Sequence, residues 1–99
     1  MLHIVNKSPL ERNTLDSCLA AAQPGAAVLL IEDGVYAATR GNAAEGKLRA
    51  ALARLEIYVL APDLEARGMA QVLSDGVKPV DYAGFVDLVA KNRNCQSWL

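Results

Sequence analysis

The chain has 99 residues, of which 53% are hydrophobic and 21% are charged, and its formal net charge is −1 at pH 7. This length and apolar content predict one globular domain over residues 1–99 and exclude an intrinsically disordered chain. Ten basic residues balance eleven acidic ones, which argues against nucleic-acid binding by bulk electrostatics. The amino terminus lacks a secretory pattern and no apolar run nears the ~18 residues of a membrane span, so we expect a cytoplasmic protein without membrane contact.

Apolar runs of strand length alternate with helical patterns along the chain. This alternation predicts an α/β fold in three layers, with a mainly parallel sheet of four to five strands flanked by helices. The predicted strands are residues 2–5, 26–31, 57–60, 77–80 and 95–99. The last of these is either an edge strand or a loose tail. Pro79 indicates a sheet edge or a strand end, because proline has no N–H to donate.

The first predicted helix carries a capping box. Ser8 fits its N-cap, Pro9 occupies the first turn, and Glu11 stands at the reciprocal position. The helix is expected to run to about Ala22, before Pro24.

Two further helices are predicted in the middle of the chain. A short one over residues 35–39 has Asp33 as its cap. The next covers residues 45–55, where Leu48, Leu52 and Leu55 are spaced to share one face.

The last two predicted helices follow the third and fourth strands. Pro62 and Asp63 begin a brief helix that Gly68 ends, whereas residues 69–76 give no clear pattern. Asp81 caps a final helix over residues 82–91. The helical spacing of three apolar residues on this last helix predicts that they face the core: Phe85, Val86 and Val89.

Several kinds of active site lack the residues that they need. His3 is the only histidine and lies in an alternating strand pattern, which favours a packed or hydrogen-bonded structural role over a catalytic base. Cys18 and Cys95 are too few and too distant for a zinc site or a disulfide framework. The glycines form neither a dinucleotide-binding nor a phosphate-loop pattern, and we expect no metal and no cofactor.

Glu32 and Asp33 follow the continuous apolar run 26–31, which is typical of a central strand. The carboxyl ends of such strands hold the ligand crevices of open α/β sheets, so a small-ligand domain is one hypothesis. A helix cap beside a solvated carboxylate is the interpretation that we favour, because no partner group for acid–base chemistry is identified.

The two thiols differ in their surroundings. Cys18 shares a helical stripe with Leu15 and Leu19, which predicts a buried packing residue with nothing nearby to stabilise a thiolate. Cys95 has Lys91 and Arg93 close in sequence, but it lies in the terminal segment and is interpreted as incidental.

Five segments of the chain resemble the DsrH/TusB family, and they occur in the family's order over nearly the whole length. They are LHIVNKSP at 2–9, ERNTLDSCL at 11–19, LLIEDGVYAA at 29–38, IYVLAPDLEARG at 57–68 and VDYAGFVDLV at 80–89. The second and fifth are most similar to the DsrH branch of sulfur-oxidising bacteria. The TusB branch, which serves tRNA thiolation, often lacks a cysteine at the position of Cys18.

The resemblance implies a subunit of a heterohexamer with two copies each of three related chains. Its partners would be DsrE/TusD-like and DsrF/TusC-like sister subunits, together with sulfur-donor and sulfur-acceptor carrier proteins, and it would not bind nucleic acid directly. These complexes pass persulfide sulfur from one cysteine to the next. The position of the sister subunit's acceptor cysteine falls at or near Leu60, so the principal acceptor is expected on a sister subunit.

Cys18 matches a cysteine that DsrH sequences carry, which makes it the candidate persulfide carrier of this chain. The main prediction is therefore a DsrH-like subunit in dissimilatory sulfur oxidation, whose contribution is mainly structural. The alternative is a TusB-like subunit of the relay for 2-thiouridine at the tRNA wobble position.

Overall fold

The computed structural model describes residues 1–10 and 12–98. Within this part of the chain the strands β1 to β5 are Leu2–Val5, Ala27–Leu30, Glu56–Leu60, Lys78–Val80 and Cys95–Trp98. The helices α1 to α4 are Thr14–Ala21, Glu45–Ala51, Ala61–Ala66 and Tyr82–Lys91. Two 3₁₀ helices, Glu32–Ala38 and Ala70–Val72, lie between them. No helix in these described ranges is long and apolar enough to cross a bilayer.

The strands form one sheet in the order β4-β3-β2-β1-β5, and every neighbouring pair is parallel. The predicted fold class is confirmed, and the sheet is parallel throughout rather than mainly so. β2 is central and its four residues are buried, as the continuous apolar run predicts. β4 and β5 are the two edges, which confirms the prediction from Pro79 and the edge-strand alternative for the carboxyl end.

The two faces of the sheet carry different layers. Val28 and Leu30 point to a large core with α1, α2, α3 and the first 3₁₀ helix, whereas Ala27 and Leu29 point to a smaller core with Leu88 of α4. This alternation follows from the twofold periodicity of a strand. The sheet therefore lies between helices on both faces, and α4 covers the second face among the described residues.

The first helix begins six residues later than Ser8, the predicted cap. The Ser8 hydroxyl accepts the Leu10 N–H at 3.2 Å, so it stabilises a turn ahead of the helix, and α1 starts at Thr14 without a side-chain cap. A longer helix would gain little, because Leu10 is 71% exposed and the buried stripe begins at Leu15. Glu11, the other half of the predicted box, lies outside the described residues.

The predicted cap at Asp33 is also wrong. The 3₁₀ helix begins at Glu32, one residue earlier, and Asp33 lies inside its first turn. Asp63 of α3 accepts the Glu32 N–H instead. A residue distant in sequence thus supplies the capping oxygen. The helix predicted over 45–55 ends at Ala51, and a turn leads from there into β3.

The last helix confirms its cap but presents a different face to the core. The Asp81 side chain accepts the Gly84 N–H at 2.8 Å. Val86 and Val89 are 65% and 41% exposed, and Phe85 is half-buried, whereas Leu88 packs on the sheet. The apolar spacing identifies a continuous stripe correctly, but it does not say which side of the helix meets the sheet.

Candidate functional site

The carboxyl ends of β1, β2 and β3 meet beside the first 3₁₀ helix, where the sequence predicts either a crevice or a cap. Glu32, two residues after the end of β2, has a φ of 50°, in the left-handed region. Gly34 then lies against the end of β1, because a Cβ at this position would be 2.2 Å from the Val5 carbonyl oxygen. The strand end is therefore closed by backbone contact rather than left open.

An ionic and hydrogen-bonded network joins this 3₁₀ helix to α3. The Glu32 N–H donates to Asp63 Oδ2 at 2.7 Å. Arg67 Nε donates to Asp33 Oδ1 at 3.0 Å, and Arg67 Nη1 donates to the Asp63 carbonyl at 3.2 Å. Asp33 is thus an ion-pair partner of Arg67 rather than the predicted helix cap, and Glu32 joins the network through its backbone N–H.

Sequence reasoning did not identify Asp63 and Arg67 as partners of the acidic pair. They lie 31 and 34 residues from their partners, beyond any local spacing rule. Their only signal in the sequence is their place in the segment 57–68 that resembles the DsrH/TusB family.

Leu60 occupies the place where the resemblance puts the sister subunit's acceptor cysteine. It is the last residue of β3 and precedes α3 directly. Its side chain is apolar and only 3% exposed. The strand end therefore offers no nucleophile at this position.

Cys18 lies on the buried side of α1, as the helical stripe predicts. Its side chain is fully buried with Leu15 and Leu19 in the larger core. Burial raises the pKa of the Cys18 thiol to about 11, because the apolar surroundings disfavour the charged thiolate. At pH 7 roughly one molecule in ten thousand would carry the thiolate, which is the nucleophilic form.

Cys95 has the opposite environment. It is the first residue of the edge strand β5 and its side chain is exposed. The β1–β5 register places it beside Leu2, so its side chain lies on the α4 face of the sheet. The structure does not bring the two cysteines together, since Cys18 lies in the core on the other face.

His3 is a buried structural residue, as predicted. Its Nδ1 accepts the Trp98 Nε1–H at 3.1 Å, which places the imidazole proton on Nε2. Burial, and then the nearby Met1 ammonium, lower the pKa of His3. In residues 1–10 and 12–98, no three His, Cys, Asp or Glu side chains are grouped so that they could hold a metal ion.

Comparison with known proteins gives the family. Residues 7–95 match the family described as DsrH like protein. The chain belongs to this DsrH-like family. The resemblance of the five segments is thus confirmed over almost the whole sequence.

Curated relatives cover the full length of this family member. Protein TusB of Pectobacterium parmentieri is 39% identical over 98 residues, which are 99% of this chain and 100% of the relative. Protein TusB of Escherichia coli O139:H28 is 36% identical over the same shares. These names favour the alternative prediction, the TusB branch, over the main one.

Solved structures support the fold. The ychN protein from E. coli superposes with a TM-score of 0.78 at 16% identity, covering 97% of both chains. A protein of unknown function from Methanobacterium thermoautotrophicum gives 0.72 at 17% identity, covering 97% of this chain and 95% of its own. At these identities the likeness concerns the fold alone.

Proposed function

We propose that this chain is a TusB-like subunit of a sulfur relay that serves 2-thiouridine formation at the tRNA wobble position. The observation that carries the proposal is the similarity, end to end, to proteins named TusB. The sequence had favoured sulfur oxidation on the segment 11–19, and the names of these relatives reverse that order.

The chemistry of the relay requires a thiolate at the acceptor position, where this chain has Leu60. In each transfer an acceptor thiolate attacks the terminal sulfur of a donor persulfide, a new S–S bond forms, and the donor leaves as a thiolate. Cys18 is fully buried with a raised pKa, and Leu60 stands where the acceptor would be. The reacting cysteine of the proposed complex therefore belongs to a TusD-like sister subunit.

The partners follow from the same proposal. TusC-like and TusD-like sister subunits would join two copies of this chain in a heterohexamer, and carrier proteins would deliver and remove the sulfur. The complex would act in the cytoplasm upstream of the RNA. The net charge of −1 supports a subunit that does not itself bind tRNA. No cofactor takes part in thiol-to-thiol transfer.

The test uses the chain together with the two sister subunits from the same genome. All three are expressed in a bacterial strain that lacks its own equivalents, and 2-thiouridine in tRNA is measured by nucleoside mass spectrometry. We expect the three chains to co-purify and 2-thiouridine to be restored, and we expect 2-thiouridine to be lost when this chain is omitted. Restoration by the two sister subunits alone would contradict the proposal.

The second candidate function is sulfur oxidation with Cys18 as a persulfide carrier. The behaviour of Cys18 distinguishes it from the TusB-like relay. The cysteine within segment 11–19 is the observation that favours it. The complex is loaded with a persulfide donor, and peptides are analysed for an added sulfur atom. Retention of sulfur on Cys18, together with a loss of turnover in Cys18→Ala, would establish the carrier. Under our proposal Cys18→Ala restores 2-thiouridine as well as the parent chain does.

A further inference from the structure

The two edges of the sheet are protected to different degrees. β4 has three residues and includes Lys78 and Pro79, a charge and a proline, which both discourage pairing with another strand. β5 has four residues, Cys95–Trp98, with neither a charge nor a proline, and three of them are exposed. Among the described residues, no strand pairs with the outer side of β5.

The hydrogen bonds to β1 determine which backbone groups of β5 point outward. The Leu2 N–H donates to the Asn94 carbonyl at 2.9 Å. In a parallel ladder the N–H and C=O of one residue point to one side and those of the next to the other. Gln96 therefore faces β1 as Asn94 does, whereas Cys95 and Ser97 direct their N–H and C=O groups away from the sheet.

We propose that β5 pairs antiparallel with β5 of a second copy of this chain. The two-fold axis passes beside Gln96, so that Cys95 of each copy lies opposite Ser97 of the other. In this register the outward groups of both residues form two reciprocal pairs, which is four hydrogen bonds. The two five-stranded sheets become one continuous sheet. The proposal stands independently of the sulfur relay.

β5 is complementary to itself, which is why we expect a second copy of this chain to pair with its outer edge. A two-fold interface places each residue opposite its own counterpart or a fixed partner, so a charged residue at the axis would repel itself. Gln96 at the axis is neutral, and its amide both donates and accepts a hydrogen bond. Cys95 and Ser97 are small and uncharged. No other antiparallel register of β5 with itself uses both outward-facing residues of both copies.

The interface consists of few residues, so we expect a dimer that forms at high protein concentration rather than a permanent one. Trapping by a disulfide suits such a weak complex. Gln96 sits at a non-hydrogen-bonded position of the proposed ladder, where the Cα atoms of opposite residues are about 4.5 Å apart, within reach of a disulfide.

The first experiment places a cysteine at the proposed axis. In a Cys95→Ser background, Gln96→Cys is oxidised under non-denaturing conditions and the covalent dimer is followed with time. Lys78→Cys in the same background is the control, because it puts a thiol on the protected edge. We expect Gln96→Cys to cross-link at least tenfold faster. Equal rates for the two variants would overturn the proposal.

The second experiment removes one outward donor without touching the bonds to β1. Ser97→Pro lacks the N–H that only the second copy would use, and Ser97→Ala keeps it. Sedimentation equilibrium should show dimers for Ser97→Ala and monomers for Ser97→Pro, with similar circular dichroism spectra. Monomers at every concentration for both variants would reject the self-pairing. Protection of the Cys95 and Ser97 amides only after adding a sister subunit would reject it too, in favour of another chain.

Discussion

Gly34→Ala should lower the free energy of unfolding, whereas the same substitution at an unobstructed helical position should raise it. The added Cβ would lie 2.2 Å from the Val5 carbonyl oxygen, about 1 Å inside ordinary contact, which begins near 3.4 Å. The backbone fixes the position of the Cβ, and the Val5 oxygen is itself a backbone atom, so no side-chain rotation can relieve the overlap. The end of β1 and the 3₁₀ helix must separate, and the cost is about 3 kcal/mol, the upper end for overpacking.

Gly46→Ala is the matched control. Gly46 lies in α2, and no atom is within 4 Å of the place that an added methyl group would occupy. There the same change removes backbone freedom from the unfolded chain and should stabilise by up to about 1 kcal/mol.

Urea denaturation followed by circular dichroism measures both variants. We expect the midpoint temperature of Gly34→Ala to fall by roughly 12 °C or more in a parallel thermal scan, since 1 kcal/mol shifts a domain of this size by about 4 °C or more. Gly46→Ala should match or exceed the parent chain. A Gly34→Ala protein as stable as Gly46→Ala would refute the close approach of the two backbones.

Three further outcomes are expected. Iodoacetamide should label Cys95 in the folded protein and Cys18 only after unfolding, which peptide mass spectrometry measures. Rapid labelling of both thiols in the folded state would contradict the burial of Cys18. Asp81→Ala should lower the free energy of unfolding, measured by urea denaturation, by about 1 kcal/mol, because the Gly84 N–H loses its cap. Asp87→Ala on the exposed surface should change it by no more than about 0.5 kcal/mol. Equal losses in the two variants would count against the cap. Burial lowers the folded-state pKa of His3 below 6.5, so the unfolded chain binds a proton first and stability should fall as the pH drops through 6.5. A His3→Gln variant should show a shallower fall over the same range, and an unchanged slope would remove His3 as its cause.

Local sequence signals predicted the elements whose boundaries are set by nearby residues. The strand β3 and the helix α3 follow from a β-branched run, a proline at the helix start and Gly68 after its end. The cap at Asp81 likewise lies three residues from its donor. For the two helices the start and stop signals lie within about one turn of the helix end, so local spacing identifies them.

The errors concern contacts made by distant residues. Ser8 has the residue type of a cap, but the helix starts only where Leu15 can enter the core. The first 3₁₀ helix is capped by Asp63, which no local pattern connects to Glu32. Val86 belongs to a regular apolar stripe, yet the sheet takes the neighbouring side of α4. The spacing of apolar residues identifies an apolar side of a helix, but packing against the sheet determines which side of the helix becomes buried.

The candidate site divides in the same way. The burial of Cys18 and of His3 could be predicted, because each follows from the residue's place within one helix or one strand, whereas the hydrogen bond from Trp98 to His3 joins two strands distant in sequence. The link between Asp33 and Arg67 could not be predicted, since it exists only after two separate elements have met.

The position of β1 between β2 and β5 has a consequence for how the protein is made. β1 is made before the other described strands and pairs with β5, so that Leu2 lies beside Cys95, 93 residues later in the sequence. During synthesis β1 therefore remains the rim of an unfinished sheet, and Leu2 and Leu29 stay uncovered until α4 arrives. Pairing over such separations is slow compared with local structure formation. The five-stranded sheet is therefore complete only after β5, the last of the described strands, has been made.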